Sequence, residues 1–181
     1  MKITAKATIA NDEIAAKELF KVSSMESSQV FEKYLNTLYG YDQRAVDTMR
    51  ILYGKTPPFI RGNTVSRYFA RLKEKVPMLN KIFVNVQRNP EGKLSLPLER
   101  LVIGDIIYLE KDDIVPIDVR VLKADNLYVN QELLTDDKTP ILKTSERCDT
   151  TNKKPAMLSN LVFAGSKVTK GSATAIVVAI G

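Results

Sequence analysis

The chain has no histidine, no tryptophan and a single cysteine, Cys148, among its 181 residues. The missing histidine excludes imidazole catalysis outright. With only one thiol beside that absence, a zinc or other soft-metal site has none of its usual donor sets. One cysteine also excludes an internal disulfide framework and makes a reducing compartment the default. No stretch approaches the ~20 consecutive apolar residues that a membrane-spanning helix needs, and Met1-Lys2-Ile3-Thr4-Ala5-Lys6 holds no apolar signal core. The chain is therefore expected to be soluble. An internal repeat, a nucleotide-binding glycine loop and a Ser/His/Asp set are missing too. What remains is ordinary globular material, 44% hydrophobic and 27% charged, long enough for one substantial domain, or one with a small companion.

The net charge of +6 is unevenly spread. Residues 1–80 carry 13 Lys/Arg against 8 Asp/Glu, and residues 81–181 carry 14 against 13. Between Arg50 and Lys81 eight basic residues face only Glu74. Such a run is read as a solvated helix face or as a segment near an anionic membrane surface. With only Tyr68 and Phe69 interleaved and no recognisable reading motif, nucleic acid is not expected as a partner.

The first third reads as helical. Asp12 to Lys21 forms a short helix capped by Asn11 or Asp12, with Ala15, Ala16, Leu19 and Phe20 on one face. A second is predicted from about Glu26 to Tyr39, with an apolar stripe of Val30, Phe31, Tyr34, Leu35 and Leu38 ended by Gly40. Asp42 caps a third, striped by Ala45, Val46, Met49, Leu52 and Tyr53 and stopped by Gly54. These stripes are core by default. Residues 55–63, with Pro57-Pro58 and Gly62-Asn63, form a junction. Thr64 to Val76 restarts as an amphipathic helix ended by Pro77.

The remainder reads as β-rich. Lys81 to Arg88 alternates as a half-exposed strand, and Asn89-Pro90-Glu91-Gly92 turns it into a partner over Lys93 to Leu98. Short strands follow at Ile106 to Leu109, across Asp118 to Leu122, and over Leu127 to Leu134, with breaks at Lys111-Asp112-Asp113, Pro116 and Asp125-Asn126. Lys143 to Ser159 is polar and expected to be an exposed loop carrying Cys148. Leu161 to Phe163, Ser166 to Val168 and Ala173 to Ile180 complete the sheet, with Lys170-Gly171 as a hairpin turn. The fold class is α+β, divided as a helical segment over 1–54, a junction over 55–63 and a helix-then-sheet domain over 64–181.

Five ordered blocks carry a resemblance. They are Leu101-Val102-Ile103-Gly104-Asp105-Ile106; Asp112-Asp113-Ile114-Val115-Pro116-Ile117-Asp118-Val119-Arg120; Glu132-Leu133-Leu134-Thr135-Asp136-Asp137-Lys138-Thr139-Pro140-Ile141; Phe163-Ala164-Gly165-Ser166; and Gly171-Ser172-Ala173-Thr174-Ala175-Ile176-Val177. Their order and spacing resemble the actuator domain of P-type cation-transporting ATPases, and the loop wording around Ala124 to Leu127 is most like the magnesium-transporting bacterial branch. Gly40 to Gly54 looks like the helical N-terminal segment of the same pumps. The resemblance implies a distorted β-barrel or jelly-roll-like sheet packed with N-terminal helices. It implies a mechanical task at the cytoplasmic face of the membrane, coupling hydrolysis of an aspartyl-phosphate to movement of membrane helices. The partners are then the phosphorylation and nucleotide domains and the membrane helices of the parent pump. Mg²⁺ and ATP belong to that parent, with no cofactor or metal in this chain. The family's first two membrane helices would fall in the 55–63 junction and are missing, through excision or as a natural remnant.

The departures fall in the family's T-G-E-S loop, which that family uses for dephosphorylation. Here it reads Thr135, Asp136, Asp137, Lys138, with Asp137 in place of the Glu that positions water. Asp137 is one methylene shorter, Asp136 replaces a glycine, and Lys138 adds a charge able to pair with either aspartate. A general base needs reach as well as pKa, so impaired hydrolysis is expected. Asp137-Lys138-Thr139 also spells the start of the family's D-K-T-G-T phosphorylation motif, but Pro140-Ile141 follow, and it is read as coincidence. The chain alone is expected to be inactive on ATP. The alternative reading is a stand-alone, non-catalytic binding or regulatory remnant of such a pump.

Overall fold

The computed structural model describes residues 17–53, 82–151 and 154–178. The predicted helix over 64–76, the junction over 55–63 and the Asn11/Asp12 cap lie outside them.

Helix α1 covers residues 17–23, α2 Ser27–Lys33 and α3 Gln43–Tyr53. α3 starts as expected, with the Asp42 carboxylate accepting the Ala45 N–H at 2.8 Å, and it buries Val46 and Met49. α2 is shorter than its apolar stripe predicts. It stops at Lys33, Tyr34 caps it, and Leu35 turns left-handed with φ 51°. The stop brings Asn36 against the sheet, where its side-chain amide donates to the Gly104 carbonyl at 2.7 Å. Leu35 and Leu38 are consequently exposed and not core, as are Leu52 and Tyr53 at the end of α3.

The strands are β1 Phe83–Arg88, β2 Gly92–Pro97, β3 Ile106–Leu109, β4 Val119–Asn130, β5 Ile141–Leu142, β6 Leu161–Val162 and β7 Lys167–Val177, with a helical turn α4 over Glu132–Thr135. Their path is β2-β1-β3-β7-β4-β5, with β6 paired to β4, and every pairing is antiparallel. The architecture is mixed α+β.

Two predicted breaks are not breaks. β4 runs through Asp125-Asn126, and β7 runs through Lys170-Gly171. The pair shifts register there, with Asn126 at φ 47° and Gly171 at φ 76°. A Cβ on Gly171 would lie 2.2 Å from the carbonyl oxygens of both Asp125 and Asn126. The turn-forming residues thus make a bulge within one long ribbon, where only glycine fits the close backbone approach. The strand predicted over 127–134 ends at Asn130, because α4 follows.

Successive strand residues point to opposite faces, and this sorts the core in two. Ile106, Leu122, Leu161 and Ile176 pack with Leu19, Val22, Val30, Tyr34, Val46 and Met49 from the helices. Their neighbours Ile107, Val121, Val162, Ala175 and Val177 pack into a second cluster made of strands and their loops. The sheet is therefore apolar on both faces, and α1–α3 cover one of them.

Candidate functional site

Asn130, the last residue of β4, holds both ends of the loop singled out by the sequence. Its side-chain oxygen accepts the Glu132 N–H at 2.8 Å and its amide donates to the Lys138 carbonyl at 3.2 Å. Between these points α4 makes a single turn, closed by the Thr135 hydroxyl on the Gln131 carbonyl at 3.1 Å and by the Asp136 N–H on Glu132. Asp136 then takes the left-handed conformation, φ 57° and ψ 12°. A glycine would adopt that conformation without strain, so this chain keeps the glycine-like backbone with an aspartate in it. Thr135, Asp136, Asp137 and Lys138 are all exposed.

Asp137 sits just past that turn. One carboxylate oxygen accepts the Thr139 N–H at 2.8 Å, and this hydrogen bond holds its pKa below the ordinary carboxylate value. It is an ionised, weakly basic carboxylate on an exposed side chain. Lys138 pairs with neither aspartate, contrary to the sequence reading. Its ammonium faces Glu132, six residues earlier, at 3.7 Å. Among the described residues, no three Asp, Glu or Cys side chains come together to hold a metal ion.

The loop over 143–159, expected to be exposed, is tied inward. Lys143 is 1% exposed and donates to the Leu158 carbonyl at 3.0 Å; burial pushes its ammonium down to about 8. Cys148 is buried, its N–H on the Ser23 carbonyl and its sulfur 2.9 Å from the Ser159 hydroxyl. Asn160 accepts the Ser23 hydroxyl at 2.6 Å and donates to the Ser23 and Glu146 carbonyls. Arg120, fully buried, donates to the carbonyls of Val22, Met25, Val121 and Ser145. Burial lowers its pKa to about 10, so it stays charged at neutral pH.

Two buried carboxylates also escaped the sequence reading. Asp105 meets Arg88 at 2.7 Å and the Val102 N–H at 2.7 Å; burial raises it to about 6 against the pull of that guanidinium. Asp118 accepts only the Ala164 N–H, at 2.7 Å, and burial raises it to about 7. The signal for both was the run of apolar residues around each aspartate, which leaves a carboxylate no route to solvent.

The family model described as "P-type ATPase actuator domain" matches residues 79–181. The "Magnesium-transporting ATPase, P-type 1" of Escherichia coli (strain K12) is 36% identical over 94 residues, 52% of this chain and 10% of that protein. The "Probable cation-transporting P-type ATPase" of Mycoplasma genitalium is 38% identical over 105 residues, 57% of this chain and 11% of that protein. The "Cation-transporting ATPase pma1" of Synechocystis sp. is 42% identical over 86 residues, 48% of this chain and 9% of that protein. The chain thus spans about a tenth of the length of these relatives.

Proposed function

Because the chain belongs to the P-type ATPase actuator-domain family, we propose that it is the actuator of an ATP-driven cation pump, with Mg²⁺ as the cation. It couples hydrolysis of an aspartyl-phosphate carried elsewhere in the pump to movement of the membrane helices. The choice of Mg²⁺ rests on the magnesium-transporting relative and on the wording of the loop around Ala124 to Leu127. The observation that carries the reading is the exposed loop clamped by Asn130, with a glycine-like Asp136 presenting the Asp137 carboxylate outward.

In this role the chain works at the cytoplasmic face of the membrane, against the phosphorylation and nucleotide domains and the membrane helices. ATP and Mg²⁺ are bound by those other parts, and no described group of carboxylates in this chain suits the metal. Among the described residues, no helix is long and apolar enough to cross a membrane. The proposed distorted, jelly-roll-like barrel is supported by the second core cluster, whose members come from strands and their loops alone. Isolated, the chain should not hydrolyse ATP.

Asp137 does the work of positioning water on the phosphorylated partner, and does it poorly. It is one methylene short, and the Thr139 N–H draws its basicity down. The same observation favours a second reading, a regulatory remnant in which the loop only docks. The test uses a full-length pump carrying this domain and follows decay of the acid-stable phosphoenzyme. Asp136→Gly, Asp137→Glu and Lys138→Ser together should speed that decay by roughly 10²- to 10⁴-fold, the usual contribution of a positioned general base. Equal rates before and after would reject the hydrolytic role and leave the docking remnant.

A further inference from the structure

At the opposite end of the strand order from this loop, a cleft of about 440 Å³ opens between α3 and the β1–β2 hairpin. Three guanidinium groups line it: Arg50 from the last turn of α3, Arg88 from the end of β1, and Arg100 from the short helical turn after β2. A single carboxylate, Glu91, stands among them, and Leu94 and Leu96 make an apolar wall. The volume is that of an ordinary small-ligand pocket.

The hydrogen-bonding capacity of these arginines is largely unspent. A guanidinium carries five N–H donors in a planar fork. Arg88 is 6% exposed, yet it meets Asp105 through one nitrogen only, and its Nε–H has no acceptor; the second Asp105 oxygen is likewise unpartnered. Arg50 reaches Asp47 at 3.6 Å and the Arg100 carbonyl at 3.4 Å, both at the limit of a useful contact. Arg100 forms no ion pair among the described residues, and neither does Glu91. Asp105 offsets Arg88 and Asp47 stands 3.6 Å from Arg50, so what is unmet is N–H donor capacity, at Arg100 above all, and phosphate oxygens match the guanidinium fork in geometry and charge.

We infer that this cleft binds a polyvalent phosphate anion, with its oxygens on Arg50 and Arg100 at the mouth and Arg88 beneath them. A less polar part of the ligand lies along Leu94 and Leu96. A phosphate monoester or polyphosphate offers these donors more acceptor oxygens than a single carboxylate does. The site is separate from the loop at Asn130 and stands or falls independently of any role in hydrolysis. The phosphate comes either from a soluble compound or from a phosphomonoester lipid headgroup.

The experiment titrates the purified chain with sodium tripolyphosphate by calorimetry at moderate salt. One-to-one binding is expected. Arg50→Ala and Arg100→Ala should each weaken it about tenfold, the worth of one charge-assisted hydrogen bond. Glu91→Gln should tighten it several-fold, a charge effect that no loss of fold produces. Lys123→Ala, an exposed cation on β4, should leave it unchanged. In a second arm the chain is sedimented with phosphatidylcholine vesicles containing phosphatidic acid. Capture that tripolyphosphate reverses, with the same arginine dependence, assigns the headgroup; tripolyphosphate binding without capture assigns a soluble phosphate. No tripolyphosphate binding, or equal weakening by Lys123→Ala, or vesicle capture indifferent to tripolyphosphate, overturns the site.

Discussion

Two polar loops flank β5, close in sequence and opposite in construction. The loop over 135–140 makes its hydrogen bonds within itself and to residues 130–132 at its base, none spanning more than eight residues. The loop over 143–160 reaches Ser23, 137 residues away from Asn160, and presents its Ser145 carbonyl to Arg120. Composition does not distinguish them, since both are polar and carry Lys and Thr. The difference lies in where the partners come from. A loop bonded across the fold locks the helices onto the sheet. A loop bonded only at its own base opens at little cost to the rest, which suits a segment that must meet another surface.

The largest test attacks the tied loop. Arg120→Ala removes donors to four carbonyls, two buried and two half-buried, on α1, the α1–α2 link, β4 and the 145 loop. A destabilisation of about 3–5 kcal/mol is expected in urea unfolding, because a large buried side chain and several hydrogen bonds to the backbone are lost together. Hydrogen exchange should accelerate across residues 17–33 ahead of the sheet. A loss below about 1 kcal/mol would mean that apolar packing alone holds the helices, and the contrast between the loops would fail.

Asp118 gives the next effect. Its folded pKa of about 7 lies above the ordinary value of 3.8, so the folded state holds a proton that the unfolded chain releases. The stability tied to that proton is complete below about pH 4 and lost as pH rises through 7. Asp118→Asn keeps an oxygen for the Ala164 N–H without the charge. The variant should be more stable than the parent by on the order of 3 kcal/mol at pH 8, and equal to it near pH 4. Parallel stability curves across that range would show that the carboxylate finds water or a cation.

What the sequence disclosed follows the reach of its local signals. The α3 cap at Asp42 and the alternation of β1 depend on residues a few positions apart, and both stand in the structure. The stripe through Leu35 and Leu38 misled, because the end of α2 is set by Asn36 meeting Gly104, 68 residues on. Asp125-Asn126 and Lys170-Gly171 carry real turn chemistry, but two turn signals facing one another across a ribbon make a bulge. Lys143 and Cys148 sit in a stretch without periodicity, and nothing nearby announces that Leu158 and Ser159 will cover them. The candidate loop was legible as a loop from its own polar wording and the four blocks that flank it. Its clamp was not, since Asn130 lies at the end of an apolar run and acts through both ends of its amide.

That clamp supplies a smaller effect. Asn130→Ala leaves the Glu132 N–H and the Lys138 carbonyl without their partner, and water can replace much of it at this exposed position. Global stability should fall by about 1 kcal/mol, while limited proteolysis at residues 135–140 should quicken more than at 143–151. Uniform quickening would place both loops in one cooperative unit.

The smallest effect is the most discriminating. Asp136→Gly removes a side chain from a left-handed residue, relieving strain of about 1 kcal/mol. It also frees the unfolded chain, which costs a similar 0.5–1 kcal/mol. Among the described residues the Asp136 side chain makes no hydrogen bond or ion pair, so the two terms should nearly cancel, and the urea midpoint should shift by less than the equivalent of about 0.5 kcal/mol. Glycine at the corresponding bulge position, Gly171, answers differently. Gly171→Ala drives a Cβ to 2.2 Å from two carbonyl oxygens and should destabilise by several-fold more than Asp136→Gly changes anything. If Asp136→Gly instead moves stability by more than about 1 kcal/mol, the loop is held by contacts beyond its base. The separation between a tethering loop and a free one would then be a difference of degree. A near-zero shift leaves this position free to take glycine or aspartate for the sake of what the loop meets, with the fold indifferent to the choice.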